Sequence, residues 1–535
     1  MNRCMLALGL MLVLGFGPVR CGKDMGGMGG SGGTGGSGGS GGSGGGGGVG
    51  GAGGTGGTGG AGGTGGSSGA SVLQYHNNPS RDGVYVASNL TRAAAANLHR
   101  DTSFNPTYMG PTYAQPLFLA GSAGGRDLLI VATEANQVSA FDAANGQAVW
   151  QRVLAPPVAL SSLPCGNINP MGITGTPVID GATRTIYLSS MTSGPKHMIY
   201  ALSADDGTTK SGWPVDVGAT VSGFDSSVHG QRAALALMGG TVYVPYGGHY
   251  GDCGNYHGRV VAVSVSNPSQ VSTFSTRATG GGVWAPSGPA SDGTSLYVTT
   301  GNTFNTSGWS DGEAVIRLGP GASFSQQPAD YFAPPNWATL DAGDADLGGT
   351  AAIPFHLAGA TPSELLVALG KDGNVYLINR TNLGGVTSAL ATLHVSGSSI
   401  INAAAVYTTP QGTYVAFRGR GMGCPGTVTV ATLAVVRMNP AAPPTLSVAW
   451  CADQHGAGSP MVTTTDGMNE SIVWSVGAEN ANRLYGFAGD TGASVFGGGG
   501  ANEALGTVRR FQTPIVAKGR IYVAGDTQLY AFTTN

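Results

Sequence analysis

Ten polar side chains lie in Gly-rich turns and loops, where they could bind a ligand or move a proton. They are Asn169, His229, Asn302, Asp344, Asp346, Lys371, Asn402, His455, Arg509 and Arg510. Each histidine precedes a glycine and lacks the regularly spaced further ligands that a zinc site needs. No G-x-S-x-G motif lies between a strand and a helix, so hydrolase chemistry has no support. Because Asn and Asp also stabilise tight turns, a structural role is the alternative for the set.

The composition of the chain narrows the functions that these residues could serve. Only 10% of the 535 residues are charged, well below the roughly 25% of an average soluble protein. This excludes a charge-rich disordered chain and a coiled coil. The net charge of −3 provides no basic surface for nucleic acid. The remaining class is a Gly-rich, β-branched globular protein.

Residues 1–71 are typical of an export signal followed by a spacer. Met1-Asn2-Arg3 and the apolar run from Leu6 to Phe16 predict a signal peptide over residues 1–21. Cys21 stands where a lipoprotein cysteine would, but Arg20 is unlike the small residues that normally precede one. Lipidation at Cys21 and ordinary cleavage therefore both stay open. The Gly/Ser-rich residues 22–71 cannot form a core and are expected to be a flexible tether.

Residues 72–535 repeat a β-rich unit eight times. Each unit begins with a segment such as AQPLFLA at 114–120 or GTPVID at 175–180, and these starts recur roughly 53–62 residues apart. Two further β-rich runs follow each start. Apolar residues alternating with a period of two, broken by Gly, Asn and Asp, predict an all-β eight-bladed propeller. The last unit ends after its third strand, so GVYVA at 83–87 is expected to complete that blade and close the ring.

The order of strands in a blade predicts which loops share a face. In each blade, the loop that leads into the inner strand lies on the same face of the propeller as the loop that joins the second and third strands. The ten polar residues belong to these loops, so they are expected to converge on one mouth of the channel. Four cysteines fall on this face: Cys165 and Cys253 in adjacent blades, and Cys424 and Cys451 in one blade. Of the three pairings, 165–253 with 424–451 avoids spanning the ring. Export would permit both disulfides.

The segment DLLIVATEANQVSAFDAANGQAVW at 127–150 resembles the repeat of quinoprotein-type propellers. That family includes the pyrroloquinoline quinone (PQQ) dehydrogenases and their non-catalytic relatives. TGNTFN at 300–305, DADLG at 344–348 and GKDGNVYLINRTNLGG at 370–385 are similar to a bacterial branch of secreted members. The resemblance covers roughly 72–535 and implies an eight-bladed propeller in which Trp150 docks between neighbouring blades.

The same resemblance implies a mouth that could hold PQQ and Ca²⁺. Asn302 and Asp346 would bind Ca²⁺, and Asp344 or Asp346 would accept the substrate proton. The cofactor would be contacted by Lys371, Arg509, Arg510, His229 and His455. The chain departs from the family pattern because it has no adjacent pair of cysteines, no C-x-x-C-H haem motif and no identifiable tryptophan floor.

The sequence therefore predicts an exported propeller that acts as a binding or scaffold module without a cofactor. Its mouth would bind a protein, a glycan or a small molecule, and we expect a monomer. The alternative is a PQQ- and Ca²⁺-dependent dehydrogenase that oxidises an alcohol or a sugar. The expected location is the cell envelope or the extracellular space, with membrane contact only through a lipid on Cys21.

Overall fold

The computed structural model describes residues 71–121 and 124–535. The predicted signal peptide, the candidate lipidation site Cys21 and the Gly/Ser-rich segment up to residue 70 lie outside the described residues. Within the described ranges, none of the helices has both the length and the apolar character needed to cross a bilayer.

Eight antiparallel sheets, each with four main strands, form the eight blades, so the predicted propeller is confirmed. The strands of blades 1 and 2, from the inside outwards, are Leu117–Leu119, Leu128–Ala132, Gln137–Asp142, Ala148–Val153; Val178–Asp180, Thr185–Thr192, Lys196–Ser203, Val215–Asp216. Those of blades 3 and 4 are Ala236–Met238, Thr241–Gly248, Arg259–Ser264, Val271–Ser275; Ala290–Ser291, Leu296–Thr299, Val315–Leu318, Tyr331–Ala333. The short strands His229–Gly230 and Gly385–Val386 extend blades 3 and 4.

The second half of the ring repeats this arrangement. The strands of blades 5 and 6 are Ile353–His356, Glu364–Leu369, Asn374–Asn379, Ala391–His394; Ala405–Thr409, Gly412–Arg418, Leu433–Asn439, Thr445–Ala452. Those of blades 7 and 8 are Met461–Thr464, Ile472–Val476, Leu484–Ala488, Ser494–Phe496; Ile515–Ala517, Arg520–Ala524, Leu529–Thr533, His99–Arg100. The α-helices among the described residues are Arg92–Ala95, Val217–Thr220 and Trp337–Gly343. The 3₁₀ helices in the same ranges are Leu160–Ser162, Pro320–Ala322, Pro328–Asp330, Leu347–Gly349 and Ala501–Glu503.

The core lies between neighbouring blades, because successive side chains of a strand point to opposite faces of its sheet. In the strand Leu128–Ala132, Ile130 packs with blade 2, whereas Leu129 packs with blade 8. The predicted docking of Trp150 is confirmed, since its indole Nε1 donates to the Ala204 carbonyl of blade 2 at 2.9 Å. Gly207, with φ +72°, leaves room for this ring, because a Cβ there would lie 2.7 Å from it.

An N-terminal strand closes the ring, but it is not the one that the sequence predicted. His99–Arg100 pairs antiparallel with Leu529–Thr533 and supplies the fourth strand of blade 8. Val84–Val86, within the expected 83–87 segment, instead pairs in parallel with the inner strand Met461–Thr464 of blade 7. The apolar GVYVA sequence suits this buried position, whereas the outer strand is short, polar and mostly exposed, so its sequence gave little β signal.

Residues 71–87 fill the central channel, and we call this segment the plug. The Ser71 hydroxyl accepts a hydrogen bond from the Ala120 N–H, beyond the end of the first inner strand. The plug therefore enters from the face opposite the mouth. Its backbone carbonyls accept bonds from inner strands around the ring, including those from Ile179 and Val406, both at 2.8 Å. The resulting channel is occupied by the protein's own chain.

Candidate functional site

Trp284 lies at the centre of the mouth, on the segment that leads into the inner strand of blade 4. Its indole Nε1 donates to Asp346 Oδ2 at 2.9 Å. Glycines before it let two loops approach closely, since a Cβ on Gly247 would meet the Gly282 backbone at 3.1 Å. Sequence reasoning missed this tryptophan. The run GGGVW at 280–284, just before a strand start, is the signal that could have found it.

Asp346 joins three of the residues that the sequence placed at the mouth. Its Oδ1 accepts the backbone N–H of Asn302 at 3.1 Å, and its Oδ2 pairs with Lys371 Nζ at 2.8 Å. Lys371 Nζ also pairs with Asp344 at 2.5 Å and lies 5.3 Å from the Trp284 ring centre. The structure thus brings Asn302, Asp344, Asp346 and Lys371 together. The Lys371 ammonium group forms ion pairs with the carboxylates of both Asp344 and Asp346.

The charges in this group are mutually stabilised. Burial raises the pKa of Asp346, and the neighbouring Lys371 ammonium opposes this rise. Burial lowers the pKa of Lys371, but Asp346 and Asp344 outweigh it, so the pKa of Lys371 lies above its ordinary value. Asp346 and Lys371 therefore each favour the charged form of the other.

Two buried glutamates near the mouth were not foreseen from the sequence. Burial raises the pKa of Glu134 to about 7, although its carboxylate accepts the Gly172 N–H at 2.7 Å. Burial, followed by the charge of Asp346, raises the pKa of Glu313 to about 9. Each keeps one buried carboxyl oxygen without a hydrogen-bond partner among the described residues. Both lie next to apolar strands, where a lone Glu gives no periodic signal.

Arg232 is the other cation at the centre of the mouth, and the sequence did not single it out. Its guanidinium carbon lies 5.7 Å from the ring centres of both Trp284 and Phe511. Among the described residues, no carboxylate pairs with it and no group accepts a hydrogen bond from it. Burial lowers the pKa of Arg232. A small cavity of about 10 Å³ beside it is also lined by Tyr75 of the plug.

The two arginines that were expected to face a cofactor are already paired. Arg509 forms a bidentate pair with Asp526, at 2.8 and 2.7 Å. Arg510 pairs with Glu479 at 2.7 Å. Each charge is therefore matched by a carboxylate of the protein.

The histidines and the other asparagines lie away from Trp284. His229 is buried and stacks on Phe224 at 4.2 Å, and both its ring nitrogens lie within hydrogen-bond distance of carbonyls. Burial lowers the pKa of His229 to about 4. Asn169 accepts a loop N–H at 3.0 Å. His455, Asn402 and Arg510 line a separate cavity of about 390 Å³ towards blades 6 and 7.

The predicted cysteine pairing is confirmed. Cys165 is bonded to Cys253, and Cys424 is bonded to Cys451. The first disulfide ties loops of adjacent blades together. The second ties a loop of blade 6 to the outer strand Thr445–Ala452 of the same blade, where Cys451 lies within the strand and not just after it. Both bonds hold loops of the mouth, as the assignment of faces required.

The donor set does not fit the Ca²⁺ and PQQ that the sequence resemblance implies. A calcium ion needs several oxygen ligands, but Asp344 and Asp346 already share the Lys371 ammonium, and Asp346 also accepts two hydrogen bonds. Within the part of the chain described, no group of three or more acidic, histidine or cysteine residues could hold a metal. Arg509 and Arg510 are occupied by their own carboxylates. Arg232 is the cation left without an anion at the centre.

Comparison with solved structures places the fold among quinoprotein propellers. The chain is similar to the quinohemoprotein alcohol dehydrogenase from Comamonas testosteroni, with a TM-score of 0.58 and 14% identity, covering 87% of this chain and 80% of that one. It is also similar to a europium-containing methanol dehydrogenase, with a TM-score of 0.60 and 13% identity, covering 86% and 98%. No protein-family model and no curated protein matches the chain. At these identities the likeness shows the eight-bladed fold.

Proposed function

We propose that this protein is an exported binding module that holds a small carboxylate-bearing ligand at the centre of its mouth. The observation that carries the proposal is the Arg232 guanidinium, which lies 5.7 Å from the centres of two aromatic rings and has no anionic partner among the described residues. Arg232 is partly exposed, so a ligand can reach its guanidinium, and a bound carboxylate would form paired, charge-assisted hydrogen bonds with it.

The surroundings of Arg232 favour a flat anion over a compact, fully hydrated one. Trp284 is partly exposed beside the guanidinium, so a planar acid could pack on its indole ring while it binds Arg232. Lys371 lies over the same indole and adds positive potential. The ligand class is therefore a planar carboxylic acid, bound without a metal.

Two further observations support export. The N-terminal residues have the basic and apolar order of a signal peptide, and the chain carries two disulfides. Disulfides persist in oxidising compartments and are rare in the cytosol. The mouth would then meet its ligand outside the cytoplasm.

The proposal is tested by calorimetric titration with benzene-1,3,5-tricarboxylate in the presence of EDTA. We expect a dissociation constant below about 1 mM, which corresponds to roughly 4 kcal/mol of binding free energy. Arg232→Met should weaken binding at least about tenfold, because it keeps the length of the side chain and removes the charge. Arg509→Met is the matched control and should bind normally, since that arginine is already paired with Asp526.

Calorimetric titration also tests the alternative function, a PQQ-dependent dehydrogenase. PQQ is titrated with and without Ca²⁺, and dye-linked oxidation is followed with a panel of alcohols and sugars. Submicromolar PQQ binding that requires Ca²⁺, together with oxidation, would overturn the binding-module proposal. Failure of the tricarboxylate to bind, or equal binding by Arg232→Met, would overturn it as well.

A further inference from the structure

A groove on the mouth face lies away from Arg232 and Trp284, over the loops of blades 3 and 4. Its volume is about 660 Å³, and an adjoining cavity of about 700 Å³ shares several of its walls. We call it the lateral groove, and its principal lining residues are Asp252, Asn255, Phe304, Asn305, Ser307 and Trp337. These volumes are in the range of sites that bind small molecules or short chains.

The lateral groove is held in shape by structure that the blades do not require. The short ladder of Thr279–Gly280 with Thr303–Phe304 belongs to none of the eight blades. Asp341, on the helix Trp337–Gly343, accepts both the backbone N–H and the hydroxyl of Thr303, at 2.9 and 2.7 Å. The helix that carries Trp337 is therefore fastened to the ladder that carries Phe304.

The aromatic walls are fixed but accessible. The Phe304 ring packs edge-on against Tyr256, with 6.3 Å between ring centres. Phe304 and Trp337 are both only partly buried. Both rings therefore offer flat apolar surface to a ligand, and the packing of Phe304 on Tyr256 limits the side-chain entropy lost at that ring.

The polar walls carry neutral side chains with unused hydrogen-bonding groups. The side chains of Asn255, Asn305 and Ser307 are exposed, and among the described residues they make no hydrogen bond. The Trp337 indole N–H likewise has no partner there. The acidic wall residues are Asp252 and Asp341, and Arg277 and His257 line the adjoining cavity. Asp341 already accepts two hydrogen bonds from Thr303, and Arg277 is paired with Asp311. One oxygen of Asp252 accepts the Tyr256 hydroxyl at 2.6 Å. Amides and hydroxyls both donate and accept, as sugar hydroxyls do.

We propose that the lateral groove binds a neutral oligosaccharide, with pyranose rings stacked on Trp337 and Phe304. A pyranose presents C–H groups on its faces and hydroxyls around its rim, which matches aromatic walls bordered by amides. The two adjoining cavities would accommodate a chain rather than a single sugar. This site shares no residue with the Arg232 site, so the two proposals stand independently.

The experiment titrates the full chain with cellohexaose and, separately, with chitohexaose, and records heat and tryptophan fluorescence. We expect at least one hexasaccharide to bind with a dissociation constant below about 1 mM. Trp337→Ala should weaken this binding at least about tenfold. Tyr250→Ala is the matched control and should bind normally, since Tyr250 is 65% exposed but does not line the groove.

Two more variants keep the test independent of folding. Trp337→Phe retains a ring for stacking, so binding should weaken less than in Trp337→Ala, while the fluorescence change on binding is lost. Asn255→Ala, at an exposed position, should weaken binding severalfold. Arg232→Met should leave it unchanged. The proposal is overturned if neither hexasaccharide binds, or if Trp337→Ala binds as tightly as the unaltered chain.

Discussion

Two buried or partly buried arginines, one in the plug and one in the mouth, have opposite surroundings. Arg81 is fully buried, and its guanidinium donates to the carbonyls of Pro289, Tyr75 and Leu235 at 3.0, 2.8 and 2.8 Å. Arg232 has aromatic rings beside it and no acceptor among the described residues. Arg81 therefore finds its acceptors within the protein, whereas we propose that Arg232 finds its partner in a ligand.

The number of hydrogen-bond acceptors that the protein provides to the guanidinium therefore distinguishes a structural arginine from one that is available to a ligand. The three carbonyls around Arg81 belong to the plug itself and to blades 3 and 4, so the guanidinium joins the plug to the ring. Buried polar groups that are fully hydrogen-bonded contribute to a unique packing. A cation without acceptors gives no such stabilisation, and under the proposed function Arg232 instead serves to bind a ligand. The predictions below test this division.

The largest effect is expected when the plug is removed. A variant that begins at residue 89 keeps the closing strand His99–Arg100 but leaves the channel empty. We expect its melting temperature to fall by well over about 10 °C, because buried contacts to most blades are lost. A variant that begins at residue 71 should melt like the full chain. Equal melting of the two variants would show that the plug is dispensable.

The next largest effect is expected at Arg81. Arg81→Met leaves three buried carbonyls without their donor and should lower the free energy of unfolding by about 3–5 kcal/mol. Urea denaturation followed by tryptophan fluorescence measures this loss. A loss below about 1 kcal/mol would mean that Arg81 is no more structural than Arg232.

A smaller, pH-dependent effect is expected at Glu134. Its pKa is raised by burial to about 7 from 4.5. Below the ordinary pKa of a glutamate, Glu134 is protonated in both the folded and the unfolded protein. Above that pKa, the unfolded chain releases the Glu134 proton at a lower pH than the folded protein does. Stability should therefore fall as pH rises from about 4.5 to 7, by on the order of 3 kcal/mol for this group. Glu134→Gln should flatten that part of the pH profile in urea denaturation, and an unchanged slope would contradict the assignment.

The smallest effect on stability is expected at Arg232. Arg232→Met loses two cation–π contacts at a partly exposed position and removes no hydrogen bond among the described residues, so the free energy of unfolding should change by less than about 1 kcal/mol. The same variant should lose the tricarboxylate. A large loss of stability, seen in the urea experiment used for Arg81, would place Arg232 in the structural class and remove the basis of the comparison.

Much of the fold could be predicted from the sequence because its signals are local and repeated. Alternating apolar runs such as LLIVAT and the docking residue Trp150 belong to single blades, and their neighbours in space follow from the order of the units. The pairing of Cys165 with Cys253 followed from the same order. The position of GVYVA could not be predicted from the order of the units, because an apolar β-rich segment suits a strand of the last blade and the central channel equally well.

The site could be predicted only in part. The loop rule grouped Asn302, Asp346 and Lys371, which do meet. It also included Arg509 and His229, since the rule assigns a face and cannot tell which partners a side chain finds there. Arg232 and Trp284 were missed because their significance lies in contacts between distant loops. A lone Arg before a strand carries no pattern of its own.

The plug also determines how the propeller bears a mechanical load. If the chain ahead of the ring left from an outer strand, a pull on it would peel one blade at a time. Here a pull on Ser71 acts on a segment bonded to the inner strands at Phe118, Ile179, Val406 and Val462. The force is shared around the ring before it reaches an outer strand. The end of the domain from which a tether would hold it is therefore the end best built to resist tension.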